Sequence, residues 1–171
     1  MTVILETPRL ALRRLEEGDL DDLARLYADE DVRRFYPSGT LDRARTKEEL
    51  DWFAGGGDPA FPKLGLWAVI HKPSGRFAGR AGFLPWAIDG RYEIEIAYLL
   101  DKALWGQGLG AELAAGLVEH GLTTLALPRL VALILPGNDA SVRTAERAGL
   151  RFERETHVDG VRCRLHAISV I

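Results

Sequence analysis

Three glycines at alternating positions, Gly106, Gly108 and Gly110, separate a stretch with strand character ending near Leu100 from a long stretch with helix character starting at Leu109. Glycine lets a backbone approach a ligand closely and adopt positive φ. The first N–H groups of a helix have no internal partners and lie at the positive end of its dipole. A strand, a glycine turn and a helix start together can therefore cradle a pyrophosphate. The same spacing also suits a plain tight strand-to-helix connection, and glycine spacing alone does not separate the two. Two familiar cradles do not fit. The Walker loop needs Gly-Lys-Ser or Gly-Lys-Thr at the helix start, where this chain has Gly-Leu-Gly. The dinucleotide unit heads a doubly wound parallel sheet, whereas this turn follows three consecutive strand patterns.

Just upstream, Glu93 and Glu95 stand two residues apart on one strand, so both point to one face. They suit either the solvent face of an amphipathic strand or a proton-transfer site, since burial raises a carboxyl toward the working range of a general base. Tyr98 falls on the opposite face. Asn138 suits a helix N-cap, with Ser141 in the first turn. Arg143 and Arg147, four apart, share a helix face and suit either solvent or a phosphate. Cys163, the one cysteine, falls mid-strand and reads as a packed thiol. His71, His120, His157 and His166 lack metal-ligand spacing, so no metal is expected.

The elements that must hold these residues follow from periodicity and punctuation. A first strand is expected within Leu5–Arg14 and a helix after Gly18, where Leu20, Leu23, Ala24 and Tyr27 recur at three and four. A second helix is expected from Thr46, with Glu49 completing a capping box. Strands over Leu64–His71, Phe77–Trp86 and Arg91–Leu100 should form an antiparallel meander, because their connections are short. Leu109–Leu122 reads as a helix with Leu109, Leu113, Leu117 and Gly121 on one face, and Arg129–Leu135 as a buried strand. Strand, helix and strand here should form one parallel, right-handed β-α-β unit. Asn138–Ala148 reads as a helix closed by Gly149. Asp159-Gly160 marks a type I′ hairpin in which Val158 faces Val161, Thr156 faces Cys163, Glu155 faces Arg164 and Glu153 faces His166. The class is α+β: a mixed, mostly antiparallel sheet of about seven strands flanked by about four helices.

A length of 171 residues suits one domain over 1–171, and 47% apolar residues can fill its core. Net charge −3 gives no general attraction to nucleic acid or an anionic membrane. No apolar run reaches membrane-spanning length, and early charges at Glu6 and Arg9 argue against a signal peptide. A lone cysteine makes no internal disulfide, which fits a cytoplasmic location. Phe35, Tyr36 and Trp86, in expected loop or turn positions, suit either a substrate pocket or local core plugs.

Placed on these elements, Trp105–Gly110 resembles the acetyl-CoA-binding motif of the GNAT acetyltransferase superfamily, Gln or Arg, two residues, Gly, one residue, Gly or Ala. Trp105 stands at the usual Gln or Arg, and Trp-Gly-Gln-Gly is typical of the subfamily that resembles the ribosomal-protein N-terminal (Rim-type) acetyltransferases. Leu5-Glu-Thr-Pro-Arg-Leu10, Glu95-Ile-Ala-Tyr98, Asn138-Asp-Ala-Ser141 and Glu146-Arg-Ala-Gly-Leu150 resemble further segments of that subfamily, with Ala97 for glycine and Leu150 for phenylalanine. The resemblance implies transfer of an acetyl group from acetyl-CoA to a primary amine, of a protein N-terminus or a small molecule, by direct attack in a ternary complex. It places acetyl-CoA against Ala97, Tyr98, Leu99, Trp105, Gly106, Gln107, Gly108, Leu109, Gly110, Asn138, Ser141 and Arg147. It makes Glu95 the base or acceptor anchor, Ser141 or Tyr98 the partner of the leaving thiolate, and Phe35, Tyr36 and Trp86 the acceptor wall. A non-catalytic acyl-CoA-binding or sensing module is the alternative. A homodimer is left open.

Overall fold

The computed structural model describes residues 1–170. Eight strands form one sheet: β1 (Leu5–Glu6), β2 (Leu10–Arg14), β3 (Gly65–His71), β4 (Arg76–Ile88), β5 (Arg91–Leu100), β6 (Arg129–Ile134), β7 (Arg151–Val158) and β8 (Val161–Ser169). Four helices cover it: α1 (Leu20–Tyr27), α2 (Arg43–Ala54), α3 (Leu109–Glu119) and α4 (Asp139–Arg147). The strand order is β1-β2-β3-β4-β5-β6-β8-β7, with β5 and β6 the one parallel pair. The eighth strand arises because Leu5–Arg14 is not continuous. It breaks at Thr7-Pro8-Arg9 into a hairpin that pairs Leu5 with Leu12. Proline cannot donate to a ladder, so the break falls there.

Each face of the sheet buries its own core. Leu109, Leu113 and Leu117 of α3 pack with Phe83, Ile96 and Leu130 on one face. Leu23 and Leu26 of α1 and Leu50 of α2 pack with Ala68, Ala97 and Leu99 on the other. Each such leucine contributes about 1.5–3 kcal/mol by leaving water. Because alternate residues of β5 serve opposite cores, the strand that leads into the glycine turn is held from both sides.

Four local expectations are corrected. Helix α2 starts at Arg43, not Thr46: Asp42 is the N-cap and accepts from the Arg45 amide, while the Thr46 hydroxyl donates back to the Asp42 carbonyl. Helix α3 ends at Glu119, and His120–Thr124 form a wider π turn. Strand β4 runs on to Ile88, so Trp86 lies in a strand and the turn is Asp89-Gly90, with positive φ at both. The last hairpin has the expected register from Val158↔Val161 to Glu155↔Arg164, but a bulge between Phe152 and Arg154 puts Phe152, not Glu153, opposite His166. The freed Glu153 makes a two-point ion pair with Arg129 of β6 at 2.9 and 2.7 Å. Glu155 pairs with Arg162 at 2.8 Å, while Arg164 stacks on Phe152 at 4.5 Å.

Candidate active site

The site begins where the sheet parts. β4 and β5 are in register from Gly79↔Leu100 to Ile88↔Arg91, whereas β5 and β6 register at a single pair, Glu95↔Val131. Beyond that pair no rung joins Ala97–Leu100 to Ala132–Ile134, so the ladder between the two strands is open there. On that side the N–H and C=O of Tyr98 have no ladder partner on β6, while those of Ala97 and Leu99 turn toward β4.

Strand β5 leads into the glycine turn. Asp101 caps a short 3₁₀ turn by accepting from the Ala103 amide. The Trp105 indole, half exposed, donates to the Leu100 carbonyl at 3.1 Å and so ties the loop to the end of β5. Gly106 and Gly108 take φ values of 76° and 77°, which favour glycine, and Gly108 is the N-cap of α3. A side-chain carbon at Gly106 or Gly110 would meet nothing within 4 Å, so the first turn of α3 opens on free space. The loop is braced from the N-terminal hairpin: Arg9 donates to the Gln107 carbonyl at 2.9 Å and pairs with Glu112 at 3.0 Å, and Thr7 donates to Glu112 at 2.7 Å. Free amides at Gln107, Gly108, Leu109 and Gly110, at a helix start above open space, fit a diphosphate.

On the α4 side, Asn138 accepts from the Ser141 amide at 3.3 Å as the N-cap. The Tyr98 hydroxyl faces Ser141 and Thr144. Burial, the largest influence, raises it to about 12, against hydrogen bonding to those two side chains. Arg143, Arg147 and Arg151 line one shallow basic hollow with Glu146. The Phe35 ring reaches Gly137, just before α4.

The opposite face of β5 carries the acids, and they differ. Glu93, which suited either a solvent face or proton transfer, is buried to 2% exposure between two guanidiniums, with Arg91 and Arg129 each at 2.9 Å. It is a structural counter-ion. Among the described residues Glu95, half-buried, has no cation within ion-pair distance, and its one hydrogen bond comes from the Trp86 indole N–H at 3.2 Å. Burial raises its carboxyl to about 7, opposed by that hydrogen bond and by the charge of Arg80. Glu95 and Tyr98 flank the β5 backbone from its two faces, as alternation requires.

Arg80 was missed in the sequence. Its signal was a charge inside the apolar run Phe77–Phe83. It is buried on β4, donating to the hydroxyls of Tyr27 at 2.8 Å and Tyr36 at 3.0 Å, with Nη1 unpartnered. Arg33 stacks on the Tyr36 ring at 4.1 Å. Tyr36 is thereby fixed over the sheet, on the face of Glu95. Cys163 is buried on β8, and burial raises its thiol, as does the charge of Glu95. Among the described residues no cluster of three or more His, Cys, Asp or Glu is placed to hold a metal, and no helix is long and apolar enough to cross a membrane.

Comparison with known proteins follows the same outline. A family model for the acetyltransferase (GNAT) domain matches residues 9–151. The YkkB protein of Bacillus subtilis (strain 168) is 32% identical over 151 residues, covering 88% of this chain and 86% of its own. A GNAT-family acetyltransferase from Bacillus anthracis superposes with TM-score 0.81 at 21% identity, over 96% of this chain and 97% of that one. RimL, the ribosomal L7/L12 alpha-N-protein acetyltransferase in complex with coenzyme A, superposes with TM-score 0.76 at 18% identity, over 99% and 98%. At those identities the two structures speak for the fold.

Proposed function

Because the chain belongs to the GNAT acetyltransferase family, we propose that it transfers the acetyl group of acetyl-CoA to a primary amine, by direct attack in a ternary complex. The observation that carries this is Glu95, a half-buried carboxyl raised to about 7 at the point where β5 and β6 part. Strand β5 leads on from it to amides suited to a diphosphate.

The amides of Gln107, Gly108, Leu109 and Gly110 hold the pyrophosphate, with Trp105 and Gly106 shaping the loop. The open edge of β5 at Ala97, Tyr98 and Leu99 takes the pantetheine as it would an added strand, with the Tyr98 backbone pairing with its amides. Asn138 and Ser141 flank the pantetheine end, and Arg147 reaches the 3′-phosphate. CoA, when bound, supplies an acyl carbon activated as a thioester.

Glu95 accepts a proton from the incoming ammonium, directly or through water. The neutral nitrogen bonds to the acyl carbon as the carbon–sulfur bond breaks, and the proton it sheds on becoming an amide passes to solvent. Tyr98, protonated at any pH near neutral, or Ser141 donates a hydrogen bond to the departing sulfur, which then takes a proton from solvent. An α-amine, with pKa about 7.7–8.0, gives its proton to such a base more readily than a lysine at about 10.4. That favours a protein or peptide N-terminus or a weakly basic small amine as acceptor, with Phe35, Tyr36 and Trp86 around it.

A thiol-release screen with acetyl-CoA against primary amines and N-terminal peptides tests the reading. Release of free thiol matched by acetylated amine is the expected result. Tight acetyl-CoA binding with no release for any acceptor, or a catalytically required acetyl adduct on the protein, would overturn it.

A further inference from the structure

A second cavity opens beside Trp86. It measures about 300 Å³ and is walled by Trp52, Phe53, Phe61, Leu64, Leu84 and Trp86. Its origin is topological. β3 starts at Gly65, opposite Phe83, while β4 continues to Ile88, so the last residues of β4 have no neighbour on that side. The connection from α2 to β3 folds over this bare edge and leaves a hollow beneath it. Aromatic side chains crowd its rim: Trp52 is 52% and Tyr92 65% exposed, and the Tyr92 ring meets Phe61 edge-on at 5.0 Å.

Two residues join this hollow to the proton acceptor. Leu84 is the cross-strand partner of Glu95, which sets their Cβ atoms about 4.5–5.5 Å apart. Trp86 walls the cavity with its ring while its N–H holds the Glu95 carboxylate at 3.2 Å. A group seated in the cavity therefore lies one side chain away from Glu95. Resting on the acetyl-transfer reading above, we infer that this cavity seats the body of the acceptor, and that the acceptor is a primary amine carried on an aromatic or bulky apolar group.

The chemistry of the walls favours an apolar body. No Lys, Arg or His lines the cavity, so an anionic body gains nothing there. Its one carboxylate, Asp58, already accepts from the Ala60 amide at 2.9 Å. A polyamine's second ammonium meets only this one carboxylate there, whereas an aromatic or bulky apolar body gains from most of the wall. The volume stands at the lower end of the roughly 300–1,000 Å³ of small-molecule sites, enough for one ring system or one large side chain. An arylalkylamine and a peptide with an aromatic first residue share this chemistry.

The test uses the full chain and four acceptors: 2-phenylethylamine, the peptide Phe-Ala-Ala-amide, ethylamine and spermidine. Thiol release gives kcat/KM for each, and tryptophan fluorescence reports occupancy directly through Trp52 and Trp86, with or without turnover. At least one aromatic acceptor should exceed ethylamine and spermidine by about 10–200-fold, the range one missing apolar group commands. The better of the two aromatic acceptors identifies the source. Leu84→Phe, which fills the hollow, should abolish the preference and the fluorescence response while calorimetry shows unchanged acetyl-CoA affinity. Phe61→Ala, which removes a wall, should weaken both and serves if the filled variant fails to fold. A fluorescence response lost in Leu84→Phe but without thiol release in the wild type would keep the cavity assignment and sink the transfer reading. Equal kcat/KM across the four amines, a preference for spermidine, or a wild type whose fluorescence ignores both aromatic ligands would overturn the inference.

Discussion

The glycine turn before α3 and the acid-bearing face of β5 lie next to each other and are made of different material. The turn is backbone: Gly106, Gly108 and Gly110 set its path and expose its amides, and side chains such as Trp105 and Arg9 only brace it. The face is side chains brought together over distance, Glu95 with Trp86, Glu93 with Arg129, Arg80 with Tyr27 and Tyr36. Within that face the two glutamates separate sharply. Glu93 is neutralised by two guanidiniums, so its carboxylate is committed to holding β5 and β6 together. Glu95 is left with one indole N–H, and burial moves its proton affinity to where a base is useful. One strand thus carries a structural acid and a reactive one two residues apart, and the difference lies entirely in their partners.

The largest expected effect is on that contrast. Glu95→Gln should lower kcat by about 10²–10⁴-fold, the usual worth of a general base, with acetyl-CoA affinity unchanged by calorimetry. The fold should not suffer. The folded pKa of Glu95 lies above its unfolded value, so its favourable contribution is present below the unfolded pKa and is lost as pH rises through about 7. Melting at pH 8 should therefore show Glu95→Gln at least as stable as the wild type. Gly110→Val probes the backbone region. Its side chain meets no protein atom but projects into the space above the amides. Loss of one or two charge-assisted hydrogen bonds should weaken acetyl-CoA by about 10- to 100-fold in titration calorimetry. Glu93→Gln should do the reverse of Glu95→Gln: denaturant unfolding should reveal a loss of about 1–3 kcal/mol from two weakened charged hydrogen bonds, with the pH–rate profile unmoved. The smallest effect belongs to Cys163→Ala, which should retain turnover and lose about 1 kcal/mol of stability, as a packed thiol would. Abolished turnover there would point to Cys163 as a nucleophile.

The two regions also differed in how far the sequence revealed them. The turn was legible because it is one contiguous segment whose glycines carry their meaning locally. The β-strand pattern of β5 was legible to its ends, and Asp159-Gly160 dictated the last hairpin as far as Glu155↔Arg164. It failed at Glu153 because the bulge there serves Arg129, a partner on another strand. The sequence likewise placed Glu93 and Glu95 on one face but could not rank them, since Arg129 lies 36 residues away. Local pattern makes Trp86 the last residue of its strand and the start of the turn, but β4 outruns β3 and continues to Ile88, an outcome of sheet topology. Two misses had local signals. Pro8 marked the break between β1 and β2, and Asp42, three residues before Arg45, competed with Thr46 as a cap and won because its carboxylate reaches a free amide.

The most direct measurement is the pH dependence of kcat/KM for acetyl transfer, in the wild type and in Trp86→Phe. Glu95 must be ionised to accept a proton, so the wild-type rate should rise through an acid limb near pH 7. The Trp86 hydrogen bond lowers the Glu95 pKa, so its removal should move that limb to higher pH, and Glu95→Gln should erase it. A wild-type rate that stays flat between pH 6 and 8, or a limb that persists unchanged in Glu95→Gln, would contradict the assignment of Glu95 as the base.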